Sequence, residues 1–135
     1  MSVRVRYAIQ ASVSSTFAEE KDLGNVKFEV VTDVEAKGGT WKTVVPAGSA
    51  NLALATGNVA TVQLLCLRVA TSDPNDVLGP ITLKRNSTSG EPQTITPVGD
   101  AKEAIYLTST DGVTSLYVTN ALSVDVDVWV TLVGI

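Results

Sequence analysis

Apolar and polar residues alternate with a period of two from the start of the chain. Val3, Val5, Tyr7, Ile9, Ala11 and Val13 form one set, and Arg4, Arg6, Ala8, Gln10 and Ser12 the other. That is the pattern of a strand with one covered face. A second alternation, Val26, Phe28, Val30, Thr32 and Val34, is closed by Gly38-Gly39. Residues 14–25 between them are polar, carry Glu19, Glu20, Lys21 and Asp22, and read as a loop with room for one helical turn. Short strands are predicted over 41–45, 51–55 and 59–69, separated by Pro46, Gly48 and Gly57-Asn58. The near-continuous apolar character of 62–69 predicts a central strand covered on both faces. Asp73-Pro74-Asn75-Asp76 is turn chemistry, because Pro fixes φ and Asp and Asn accept local backbone hydrogen bonds.

Further strands are predicted over 80–85 and 94–98, around a loop at 86–91. Residues 104–109 and 113–119 flank Thr110-Asp111-Gly112, which reads as a tight hairpin. The last strand, 124–133, alternates strictly: Val124, Val126, Val128, Val130 and Leu132 against Asp125, Asp127, Trp129, Thr131 and Val133. Nine or ten short strands without an amphipathic helix predict an all-β fold. The expected architecture is a single-domain antiparallel β-sandwich over residues 1–135, and eight core strands plus edge pieces point to a jelly roll. A chain of 135 residues without a composition break fits one domain, and it buries roughly two-thirds of its unfolded surface.

Composition narrows the chemistry. The chain has no histidine, which removes the usual general base and the commonest metal ligand. Its one cysteine, Cys66, lies between leucines and reads as a buried, inert thiol; it excludes an internal disulfide framework. No catalytic residue, cofactor or metal is expected. Asp73, Asn75 and Asp76 could cradle calcium, but turn formation explains them more simply. Asp125 and Asp127 are expected on the solvent face of the last strand, where carboxylates guard an edge. A carboxylate-only glycosidase is the one enzyme class that needs no histidine; the reading here is not an enzyme.

The net charge of −4 argues against nucleic acid as a partner, and Arg4 and Arg6 are too few for an RNA-packaging arm. The N-terminus lacks the apolar core of a secretory signal, and no run approaches 18 apolar residues. The expectation is a product made in a cytoplasm without a signal peptide, with no membrane partner. Asn86-Ser87-Thr88 is then a chance match to a glycosylation sequon. Charged residues make up only 18%, against roughly 25% in an average globular protein. The neutral surface this leaves suits assembly.

The aromatic residues carry the sharper hint. Trp129 shares a face with Asp125 and Asp127, Tyr106 alternates against Ile105 and Leu107, and Tyr117 against Leu116 and Val118. Large rings opposite an aliphatic face mark a protein interface or a sugar platform, unless the sheet is covered on both sides. Trp41, after Gly38-Gly39-Thr40, could anchor a neighbour or plug an end of the sandwich.

The rhythm of the second half carries a resemblance. The runs Val62-Gln63-Leu64-Leu65-Cys66-Leu67-Arg68-Val69, Pro80-Ile81-Thr82-Leu83-Lys84-Arg85 and Ala104-Ile105-Tyr106-Leu107 contribute to it. So do Ser115-Leu116-Tyr117-Val118-Thr119-Asn120 and the stretch 126–134. Together, over about residues 59–135, they resemble small virion structural proteins of tailed bacteriophages. The resemblance implies a β-sandwich or jelly-roll capsid decoration (cement) protein in the virion. It would be a homo-oligomer, with a trimer favoured, binding other virion proteins such as the major capsid protein. A small tail or neck protein fits the same resemblance. The alternative from another class is a carbohydrate-binding module or host-attachment component whose glycan stacks on Tyr106, Tyr117 or Trp129.

Overall fold

The computed structural model describes residues 2–14, 22–35 and 37–135. Backbone contacts divide the chain into two compact units, Met1–Glu35 and Ala36–Ile135. Of the expected 14–25 loop, residues 15–21 lie outside the described residues, whereas Asp22 to Asn25 are strand.

The first unit is a pair of long antiparallel strands, β1 (Ser2–Ser14) and β2 (Asp22–Glu35). Their register sets like against like: Val5 pairs with Thr32, Tyr7 with Val30 and Ile9 with Phe28. Val5 is buried, while Arg6 and Glu29 of the alternate set are exposed and form an ion pair, Nε to Oε1 3.4 Å. The alternation in sequence thus becomes two faces of one ribbon.

The second unit holds eight strands: β3 (Lys37–Val45), β4 (Ser49–Leu54), β5 (Val62–Thr71), β6 (Ile81–Arg85), β7 (Gln93–Ile95), β8 (Glu103–Val113), β9 (Leu116–Asn120) and β10 (Val126–Gly134). They form two four-stranded antiparallel sheets, in the orders β3-β10-β5-β8 and β4-β9-β6-β7. The unit is a β-sandwich. Its core is the set of inward alternate positions: Val126, Val128, Val130 and Leu132 of β10 and Leu65 and Leu67 of β5 meet Leu83, Leu116 and Val118 of the other sheet. β10 lies inside its sheet with one face on the core and the other on the outer surface, so Val126, Val128, Val130 and Leu132 alternate with Asp127, Trp129, Thr131 and Val133.

Three local expectations change. Gly38 and Gly39 do not close a strand; they lie within β3, opposite Val133 and Leu132. A Cβ on Gly38 would come 3.0 Å from the Leu132 carbonyl oxygen, so glycine permits this close approach of two backbones. The expected hairpin at Thr110-Asp111-Gly112 is a passage between sheets, because β8 pairs with β5 while β9 pairs with β4 and β6. Gly112 does take a positive φ of 72°, but the ladder beside β5 continues to Val113. Asn86 clasps the passage: its Nδ2 donates to the Gly112 carbonyl (3.1 Å), and its Oδ1 accepts from the Thr114 amide (2.8 Å). Lastly, β5 is an interior strand but is buried on one face only; Leu64 and Cys66 on the other are half-buried.

Candidate interaction surface

The outer face of the β3-β10-β5-β8 sheet is built from the alternate positions left over once the core is filled. Register aligns them in rows across the four strands. One row is Lys42, Trp129, Arg68 and Ile105; the next, toward the opposite end, is Thr40, Thr131, Cys66 and Leu107. On the other side of the tryptophan row lie Val44, Asp127, Ala70 and Glu103.

Trp129 stands at the centre between two cations. The Arg68 guanidinium carbon is 4.5 Å from its ring centroid and the Lys42 ammonium 5.6 Å, both within cation–π range. Each cation is also held by a carboxylate. Arg68 grips Glu103 bidentately, through Nε to Oε2 at 3.1 Å and through Nη2 to Oε1. Lys42 Nζ lies 3.1 Å from Asp127 Oδ2, and the Ser72 hydroxyl donates to Asp127 Oδ1 at 2.7 Å. The hydrogen bonds from Arg68 hold the Glu103 carboxyl below its ordinary pKa, and the same contact pushes Arg68 up. Two positive and two negative charges cancel, so the row is locally neutral.

The remainder of this face mixes apolar side chains with Thr40, Thr131 and Ser109, and the Thr40 and Thr131 hydroxyls hydrogen-bond to each other at 2.9 Å. Ile105 is 69% exposed and Val44 48%, while Leu64, Leu107 and Val133 are half-buried. Cys66 sits among them, and burial pushes its thiol pKa up, which disfavours the reactive thiolate. The opposite sheet differs. Its outer positions include Thr82, Thr94, Thr119, Lys84 and Tyr117, set against the buried Ile81, Leu83, Leu116 and Val118. One outer face of the sandwich carries paired charges with exposed apolar side chains; the other carries mainly hydroxyl groups.

The four aromatic candidates divide between these environments. Trp129 lies on the charge-paired outer face, and Tyr117 lies on the hydroxyl-rich one, opposite Ala53 and Lys84. Tyr106 and Trp41 pack against the core instead. For Tyr106 the expected sides are reversed: the strand presents Ile105 outward, because Ala104 and Tyr106 face the sandwich interior. Trp41 lies against two glycines. A Cβ on Gly39 would come 3.0 Å from its ring, and one on Gly57 3.4 Å. Its indole Nε1 is buried without a hydrogen-bond partner.

The carboxylates have structural partners. Asp73 Oδ1 accepts from the Asn75 amide (2.9 Å), making a side-chain-closed turn. Asp125 Oδ1 accepts from the Ala47 amide (2.9 Å). Asp127, expected to be solvent-facing, is buried beneath Lys42 and Ser72. Among the described residues no three His, Cys, Asp or Glu side chains converge as a metal site. An open cleft of about 290 Å³, lined by Arg85, Asn86, Glu91, Asp111 and Val113, lies beside the Asn86 clasp.

Sequence reasoning singled out Trp129 but missed Lys42, Arg68, Glu103 and Ile105. Their alternation with buried residues was visible; their arrival in adjacent rows depends on pairing between strands distant in sequence. No protein-family model, curated protein or solved structure matches this chain.

Proposed function

We propose that this protein is a non-enzymatic structural subunit of a bacteriophage virion, a capsid decoration (cement) protein that acts as a homo-oligomer and binds other virion proteins. The observation that carries the reading is the contrast between the two outer faces. The core lies between the two sheets, so an outer face that also carries Trp129, Ile105, Val44 and two internally paired charges suits an assembly surface. Strand order supports the finer fold reading. Counted from β3 as first to β10 as eighth, the sheets run 1-8-3-6 and 2-7-4-5. That is the order of a jelly roll, an architecture used by viral capsid and lectin domains.

Quantitative mass spectrometry of gradient-purified virions from the source lysate tests the role. A decoration protein is recovered at a copy number comparable with the major capsid protein, and a tail or neck component at far fewer copies. Absence from purified virions refutes both. A glycan-binding reading is favoured by Tyr117, whose ring lies on the hydroxyl-rich face without cations over it among the described residues. It predicts retention on a glycan array that Tyr117→Ala abolishes. Trp129 suits stacking less well, because Arg68 and Lys42 already occupy positions against its ring.

A further inference from the structure

We infer that the outer face of the β3-β10-β5-β8 sheet is covered by the same face of a second copy of this chain. The inference rests on the assembly role proposed above and names the occupant of that surface. Size, charge and shape carry it.

The outer rows span seven residues along each of four strands, from Gly38 to Val44 on β3 and from Asp127 to Val133 on β10. With strands about 4.8 Å apart and a rise of about 3.3 Å per residue, the face covers roughly 450 Å² in projection. Side-chain relief adds to this, so two copies together bury on the order of 1,000 Å², the lower limit for a specific interface.

Charge selects against a strongly charged partner. Lys42 is matched by Asp127 and Arg68 by Glu103 within the same subunit. A face that is already neutral can be covered by its own copy without leaving a charge uncompensated. Distribution fits as well. The charged groups gather toward one end beside Ile105 and Val44, and toward the other end Leu64, Cys66, Leu107 and Val133 share their rows with Thr40, Thr131 and Ser109, so no uncompensated charge interrupts the face. Finally, two pleated faces stack about 10 Å apart with side chains interleaved, and a two-fold pair needs only one such patch. The result is a face-to-face dimer rather than the trimer that the phage resemblance implies.

Light scattering of the full-length protein over a concentration series tests this, with Ile105→Lys and Val44→Lys as face variants. Both residues are exposed at opposite edges of the face, so neither substitution disturbs the core. Thr94→Lys, on the outer face of the other sheet, is the control. The expected result is a dimer that each face variant weakens by roughly 30-fold or more and the control leaves intact. Maleimide labelling of Cys66 gives a second readout: labelling slows as the protein concentration rises and the dimer forms, and in the face variants it does not change with concentration. A monomer at every concentration overturns the inference, as does a trimer insensitive to both face variants. Monomeric protein whose virion incorporation is lost in Ile105→Lys assigns the face to another virion protein and also overturns it. Virion mass spectrometry judges the parent reading separately, since a dimer absent from virions would refute that reading alone.

Discussion

Asn120 is fully buried and spends its side chain on the backbone of two segments. Its Nδ2 lies 3.1 Å from the Val45 carbonyl, 3.2 Å from that of Pro46 and 2.9 Å from that of Val124, and its Oδ1 accepts from the Leu122 amide at 3.0 Å. One amide thus ties the end of β3 to the turn between β9 and β10. Asn120→Ala leaves buried carbonyls without a donor and is expected to cost about 2–4 kcal/mol. Urea unfolding should show a lower midpoint with an unchanged slope. At the surface, Glu103 supplies a pH dependence of defined sign. Its folded pKa is lowered, chiefly by the hydrogen bonds from Arg68, so its contribution is present above the unfolded carboxyl range. That contribution is lost as pH falls through the folded value. Wild type should therefore exceed Glu103→Gln in stability at neutral pH, with the gap closing on acidification. Denaturant midpoints across an acid series measure it, and a gap that widens toward low pH contradicts the assignment.

Strand β10 is the element on which the sandwich is centred. It pairs with β3 on one side and β5 on the other, and Val126, Val128, Val130 and Leu132 are fully buried. Leu132→Ala is expected to cost about 2–5 kcal/mol, through lost transfer energy and the cavity left behind. At the end of the same strand, Gly134 lies against another backbone. A Cβ there would come 1.9 Å from the Thr61 carbonyl oxygen, too close for any carbon. Beside it, the Ala60 and Thr61 amides donate to the Ile135 carbonyl at 2.8 and 2.7 Å, and the Ile135 amide returns a bond to Thr61 at 3.0 Å. Gly134→Ala must push this pairing apart and is expected to destabilise by at least about 2 kcal/mol. A thermal melt reads the loss, and a melt within error of wild type would mean the backbone yields freely there.

For the molecule as a whole, the residues of the main core cluster run from Val45 to Leu132, and all belong to the second unit. A fragment of residues 36–135 contains that entire core and is expected to unfold in one cooperative transition. Circular dichroism during urea titration checks this; a broad, non-cooperative loss of β signal would refute it. The two outer faces of the sandwich differ, one with paired charges around Trp129 and the other with mainly hydroxyl groups.

Period-two alternation alone determined the strand content and the all-β class, because a pleated strand sends alternate side chains to opposite faces wherever it pairs. It also marked β10 as a strand with one fully buried face and Trp129 as its outward ring. Alternation is silent on which strand lies beside which. Asp111-Gly112 looked like a hairpin because the positive φ it signals is local, whereas the passage from β8 to β9 is decided by pairing with β5, about fifty residues earlier. Likewise Ile105 and Tyr106 are both large and apolar, and only packing against the opposite sheet chose which one faces inward. The row of Lys42, Trp129, Arg68 and Ile105 exists only because four segments distant in sequence share one register. Sequence set the faces of each strand; tertiary pairing assembled those faces into a surface.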